Sequence, residues 1–177
     1  MPMNKVLRIL RHRWLDGRDS HRLIPDDMAL RLARRITASE ARHSGEIRVC
    51  VEAALPLSYL WRLGDKTTVR VLARERAMSW FGRLGVWDTQ DNNGVLIYLL
   101  LAERSIELVA DRGLSARVDQ ARWQAMVDRL AGQLHHGAFE DGLTQALEEV
   151  SALLVEFFPA QSGEPNPNEL PDLVVRA

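Results

Sequence analysis

The stretch Asp88-Thr89-Gln90-Asp91-Asn92-Asn93-Gly94 is where this sequence could do chemistry, because it gathers carboxylates and amides in one loop. It runs directly into Val95-Leu96-Ile97-Tyr98-Leu99-Leu100-Leu101, an apolar run whose length and polar borders suit a buried strand. A second short strand, Ile106–Ala110, follows, and Asp111-Arg112-Gly113 ends it. If Glu103-Arg104 is a two-residue turn, Ala102 faces Ser105, Leu96 faces Asp111 and Gly94 faces Gly113. Antiparallel partners lie about 5 Å apart. That register sets Asp91, Asn92 and Asn93 beside Asp111 and Arg112, with Asp88 at the same end and Asp119 within reach. Such an oxygen-rich set suits a hard cation; calcium takes roughly six to eight oxygen ligands from carboxylates, amides and carbonyls. A dication would also cancel the repulsion among the clustered acids. The loop is not an EF-hand: aligned on its glycine, it puts Thr89 at the first ligand position and Leu100 at the twelfth. The other reading is a polar loop whose Asp and Asn side chains cap the backbone. Arg112 could hold an anion or pair with the acids around it, the second being the commoner use.

Other chemistries lack their signatures. The sequence contains no phosphate-binding Gly-rich loop, no Gly-x-Ser-x-Gly and no His-Glu-x-x-His. His135 and His136 are adjacent on a helix and do not face each other, so a shared metal is not expected. Cys50 is the only cysteine, which excludes an intramolecular disulfide and a cysteine-rich zinc site. A net charge of -1 argues against a dedicated nucleic-acid binder, and 46% hydrophobic with 27% charged residues is ordinary for a globular domain. No residue stands out as a nucleophile; Asp88, Asp91 and Asp111 are catalytic candidates by location only.

The elements that must position these residues read as follows. Pro25-Asp26-Asp27 opens a helix with acids at its positive end, and Met28, Leu32 and Ile36 share a face up to Ser44-Gly45. Glu46 to Glu52 alternates, with Ile47, Val49 and Val51 on one side. Pro56 to Asp65 is a linker, and Thr68 to Leu84 carries a helical stripe through Leu72, Ala77, Trp80 and Phe81. Strand, helix, strand implies a right-handed crossover between parallel strands. Two more helices follow, about 116–134 and 140–158, before Pro159. Residues 25–158 therefore form one α/β domain. Residues 159–177, with four prolines, read as a mobile tail. Residues 1–24 form a basic segment in which Lys5, Arg8, Arg11, Arg13, Arg18 and Arg22 interleave with apolar residues. We expect a helix whose apolar side packs on the domain and whose basic face is solvated. The alternative is peripheral contact of residues 3–22 with an anionic membrane or a partner. No run approaches the roughly 20 apolar residues of a membrane span, and the N-terminus lacks the apolar core of a secretory signal, so a cytoplasmic location is expected, with peripheral attachment to a membrane as the alternative.

Over about Pro25 to Phe158 the chain resembles the TPM domain family, whose members include a thylakoid-lumen protein and a photosystem-repair protein of plants. The resemblance rests on Gly45-Glu46-Ile47-Arg48-Val49, on Trp80-Phe81 at a helix end, on Asp91-Asn92-Asn93-Gly94 with Val95-Leu96-Ile97, and on Gly113-Leu114 followed by Asp119, Gly137-Ala138-Phe139 and Gly142-Leu143. It implies a three-layer α/β/α sandwich around a small mixed β-sheet. It also implies a divalent-cation site, usually calcium, where the acidic loops meet, with Asp91 or its neighbours and Asp119 as ligands. Acid phosphatase activity has been attributed to a plant member. The chain departs from the family at Ala110-Asp111-Arg112-Gly113, where a Gly-aromatic-Gly segment is usual. The expected function is a calcium-binding accessory or protein-interaction module that serves a membrane-associated assembly with an unknown protein partner. A metal-dependent acid phosphatase and a metal-free protein-binding domain are the alternatives.

Overall fold

In the computed structural model, residues 5–64, 66–161 and 168–177 are described. Three strands of the sheet form where the hydrophobic patterns predict: β1 (Ile47–Glu52), β2 (Val95–Leu100) and β3 (Ser105–Ala110). β1 and β2 are parallel, with Ile47 opposite Val95 and Glu52 opposite Leu100. β2 and β3 are antiparallel. The hairpin register differs from the expected one by two residues. Leu96 faces Val109 rather than Asp111, and it is Asp111 whose N–H donates to the Gly94 carbonyl at 2.9 Å. The connection is not a two-residue turn. Leu101–Glu103 forms a 3-10 turn, Arg104 takes a left-handed conformation (φ 48), and Leu100 pairs with Ser105. Leu101 and Ala102 are drawn into the core, and the Ala102 N–H donates to Ala53 at the end of β1 (2.9 Å). Because strand side chains alternate with period two, a shift of two leaves every residue on its expected face.

Ile47, Val49, Val51, Ile97 and Leu99 face one core, built with α3 (Asp26–Glu40), α7 (Gln120–His135) and α8 (Phe139–Phe157). Cys50, Leu96, Tyr98 and Leu100 face the other, built with α4 (Leu57–Leu60) and α5 (Val69–Arg83). The helices thus cover both faces of a mixed sheet, which is the expected α/β/α sandwich. A short α6 (Arg112–Ser115) separates β3 from α7, so α7 starts later than its predicted 116. At the open edge of β3, Arg74 Nη1 donates to the Leu108 carbonyl (2.5 Å), a charged side chain guarding an unpaired strand edge.

Both termini depart from expectation. Within the expected tail, residues 162–167 lie outside the described residues, but residues 168–177 lie along the sheet. β4 (Val175–Arg176) pairs in parallel with β1, so the strand order is β3-β2-β1-β4. Backbone N–H groups of Glu169 and Leu170 donate to the Glu46 carboxylate (3.0 and 3.3 Å), Thr37 donates to Asp172, and Arg176 Nη1 reaches Asp26 at 2.7 Å. An otherwise open edge of β1 supplies the binding energy that proline-rich composition alone does not reveal. At the other end, the basic segment forms two helices, α1 (Lys5–Trp14) and α2 (Gly17–Leu23), separated by a capping box of Asp16 and Asp19. The orientation of α1 is the reverse of the expected one. Its charged Lys5, Arg8 and His12 meet the domain with Ile9 packed on the core beside them, while Val6, Leu7, Leu10 and Trp14 are exposed.

Candidate functional site

The Asp91–Gly94 loop is shaped by its residue types. Asn92 is left-handed (φ 50), a conformation asparagine tolerates better than most side chains. Thr89 Oγ1 accepts from the Asn93 N–H (3.1 Å). A Cβ at Gly94 would collide with the Val86 carbonyl, so only glycine lets the loop close over the start of β2. The loop then meets the turn after β3. The Gly113 N–H donates to the Asn92 carbonyl (2.8 Å), and a Cβ at Gly113 would collide with the Asp91 and Asn92 carbonyls. Asp111 caps α6 through Oδ1, which accepts from the Arg112 N–H at 2.7 Å.

A third segment completes the cluster. Ser44, at the end of the turn that follows α3, donates through Oγ to Asp91 Oδ2 (3.3 Å) and accepts from Asn93 Nδ2 (3.2 Å). Asn93 is fully buried. Two oxygens of this cluster, Asn93 Oδ1 and Asp111 Oδ2, are buried without a hydrogen-bond partner among the described residues. The C-terminal strap seals one flank: the Glu169 carboxylate accepts from the Gln90 N–H at 3.2 and 3.3 Å.

Asp91, Asn92, Asn93, Asp111 and Arg112 therefore come together through direct contacts. Arg112 Nε donates to Asn92 Oδ1 (3.4 Å), and Arg112 makes no ion pair with an acid among the described residues. Asp119 is the N-cap of α7, accepting from the Arg122 N–H at 2.7 Å, and Asp88 is exposed; no hydrogen bond joins either to the cluster. Ser44, Thr89 and Glu169 were not legible as site residues. Ser44-Gly45 reads as a helix stop, and only the fold brings it against Asn93.

Among the described residues, no three His, Cys, Asp or Glu side chains lie close enough to share a metal ion. A bound cation would rest on one or two carboxylates, the Asn93 amide and loop carbonyls. That donor chemistry, all oxygen and partly neutral, fits a hard cation of the calcium type and not a transition metal. The two unpartnered buried oxygens favour the fit, since burying an unsatisfied acceptor costs about 1–3 kcal/mol.

Burial shapes the ionisation of the strand flanking this cluster. It raises the Glu46 carboxyl, partly offset by the N–H groups of Glu169 and Leu170. It raises Glu40, which accepts from the Ile47 N–H (3.1 Å), to about 8. It lowers His43 to about 4, so this imidazole is neutral near pH 7 with Nδ1 donating to the Gly45 carbonyl. At the far end of β1, Glu52 accepts from Arg76 (Nη2, 2.6 Å), Trp80 Nε1 (3.1 Å) and Tyr98 OH (2.7 Å), a satisfied buried network. Cys50 beside it is buried, and burial pushes its thiol up, so it is not a reactive thiolate.

Fold and site together describe a mixed α/β sandwich with three loops converging at one end of its parallel strands. The chain belongs to the TPM domain family, whose family model matches residues 18–153. It is similar in structure to the BA42 protein from the psychrophilic bacteria Bizionia argentinensis, known from NMR, with a TM-score of 0.69 and 24% identity over 85% of this chain and 93% of that chain. At that identity the likeness is one of fold. No curated protein matches the chain. No helix among the described residues is long and apolar enough to cross a membrane.

Proposed function

We propose that this TPM domain is a divalent-cation-binding accessory module, with calcium as the cation. The observation that carries the reading is the pair of buried, unpartnered oxygens, Asn93 Oδ1 and Asp111 Oδ2, in a cluster where the Asp91 and Asn92 carbonyls also converge on Gly113. Asp91, Asn93 and Asp111 would hold the ion, with Asn92 and loop carbonyls contributing; Asp119 and Asp88 stand outside this set. Bound there, a dication supplies charge that offsets the two carboxylates. This chain's own residues then tie the β2 loop, the turn after β3 and the Ser44 turn into one surface for a protein partner. The buried, unpaired Cys50 suits a reducing compartment such as the cytoplasm.

Calorimetric titration of chelator-stripped protein with calcium tests the proposal. Saturable binding is expected, weakened about tenfold or more in Asp111→Asn and Asp91→Asn, because each removes a charged oxygen ligand. Absence of heat, together with an unchanged melting temperature in excess calcium, would sink it. A phosphatase needs a positioned nucleophile besides a cation. Metal-dependent phosphate release that Asp91→Asn abolishes would favour that second reading.

A further inference from the structure

The side of α1 that touches the domain is mostly polar, with Ile9 as its one apolar residue packed against the core formed with α4 and α5. Lys5 Nζ donates to the Trp61 and Leu63 carbonyls (3.3 and 2.5 Å). Arg8 Nε and His12 Nε2 both reach Glu103 Oε1 (3.0 and 2.9 Å), and His12 Nδ1 accepts from the Leu55 N–H (3.0 Å). Lys5, Arg8 and His12 recur at helical spacing and form one stripe.

The opposite stripe is Val6, Leu7, Leu10 and Trp14, which are 61, 58, 46 and 84% exposed. At about 100° per residue these four side chains occupy one arc of the helix. Arg13 borders that arc on one side and Arg11 on the other; both are exposed, and neither makes an ion pair among the described residues. Arg18 and Arg22 continue the basic character on α2, while the nearby acids Asp16 and Asp19 are engaged in the capping box. An amphipathic helix is ordinarily held to its domain by its apolar face. Here the core takes up Ile9 alone, and the arc of Val6, Leu7, Leu10 and Trp14 stays largely exposed, so packing on the domain does not account for it. α1 also lies outside residues 18–153, the part that matches the family.

We propose that α1 is an interfacial anchor that lays Val6, Leu7, Leu10 and Trp14 into the headgroup boundary of an anionic lipid membrane, with Arg11 and Arg13 meeting lipid phosphates. Charge selects this occupant. Both flanks of the apolar arc are basic, so apposing the arcs of two copies would set arginine against arginine, whereas an anionic lipid surface complements both flanks at once. Trp14 sits at the helix end, where an amphipathic indole suits the membrane interface. A ten-residue helix lies on a bilayer rather than across it.

The test is flotation of the full chain with vesicles of phosphatidylcholine alone or mixed with phosphatidylglycerol, in chelator so that calcium bridging does not contribute. Flotation only with phosphatidylglycerol, weakened by salt and accompanied by a blue shift of tryptophan emission, is expected. The double variant Leu10→Ser/Trp14→Ser should bind about tenfold or more weakly with an unchanged melting temperature, because neither side chain holds the helix to the domain. Arg11→Gln/Arg13→Gln should lose the preference for anionic vesicles. Failure to float on either vesicle would overturn the proposal, as would equal binding to both. So would flotation that the Leu10/Trp14 variant retains, or a lipid-independent dimer that this variant dissociates, which would assign the face to a second copy of the chain.

Discussion

Glu52 shows how a buried charge is accommodated at a single position. Its carboxylate accepts from a guanidinium, an indole and a phenol, so each lone-pair direction faces a donor. Tyr98→Phe removes one charged hydrogen bond and leaves the others, and should destabilise the domain by about 1–3 kcal/mol in urea unfolding, with little change in fold. Glu40 and His43 make opposite contributions to pH dependence. Glu40 is raised from 4.5 to about 8 by burial, so its folded form holds a proton that the unfolded chain has lost; its contribution is present below pH 4.5 and disappears as pH rises through 8. His43 is lowered from 6.5 to about 4 by burial, so its contribution is present above pH 6.5 and is lost as pH falls through 4. The two slopes oppose each other between about 4.5 and 6.5, and only the Glu40 slope remains from 6.5 to 8. Stability should therefore fall over that upper window, by at most roughly 1.4 kcal/mol per pH unit. Glu40→Gln should flatten it in melts recorded across the same buffers.

At the scale of elements, the turns set the geometry of the cluster. Gly113 and Gly132 are both glycines beside or within helices, yet they differ in kind. A Cβ at Gly113 meets the Asp91 and Asn92 carbonyls, backbone atoms that cannot turn away, whereas one at Gly132 in α7 meets nothing within 4 Å. Gly113→Ala should therefore cost roughly 1–3 kcal/mol and pull the β2 loop out of place. Gly132→Ala should stabilise by about 0.5–1 kcal/mol, because alanine loses less backbone entropy in a helix. Thermal melts of the two variants side by side check both signs. The C-terminal strap acts at the same scale: β4 covers an edge of β1, while Arg74 guards the β3 edge at the other side of the sheet.

For the whole molecule, the proposed cation cluster and the proposed lipid-facing helix are built from different residues. The first joins Ser44, Asp91, Asn93 and Asp111; the second joins Val6, Leu7, Leu10 and Trp14. A cation that binds only the folded state stabilises it by mass action, about 2.7 kcal/mol at 100 times the dissociation constant. Calcium should therefore raise the melting temperature of the full chain and of Leu10→Ser/Trp14→Ser equally. An increase confined to one of them would mean that the two surfaces are coupled.

Local pattern determined much of this protein from sequence alone. Alternation at Ile47, Val49 and Val51, the apolar run from Val95 and the helical stripes at Leu32, Leu72 and Leu147 each depend on neighbours a few residues away, and each element formed. The Asn92-Asn93-Gly94 chemistry likewise marks a tight loop, because left-handed and Cβ-free positions demand those residue types. Tertiary structure alone decided what depends on distant partners. The hairpin register moved by two because Ala53 offered a carbonyl to Ala102 and the core took in Leu101. The tail docked because the Glu46 carboxylate and the β1 edge had donors and acceptors to share. α1 turned its apolar face outward because Glu103 and Leu55, nearly a hundred and about forty residues on, supplied partners for His12. Ser44 joined Asp91 and Asn93 for the same reason: hydrogen bonds form between atoms that meet in space, and nothing in the local sequence of either segment encodes that meeting.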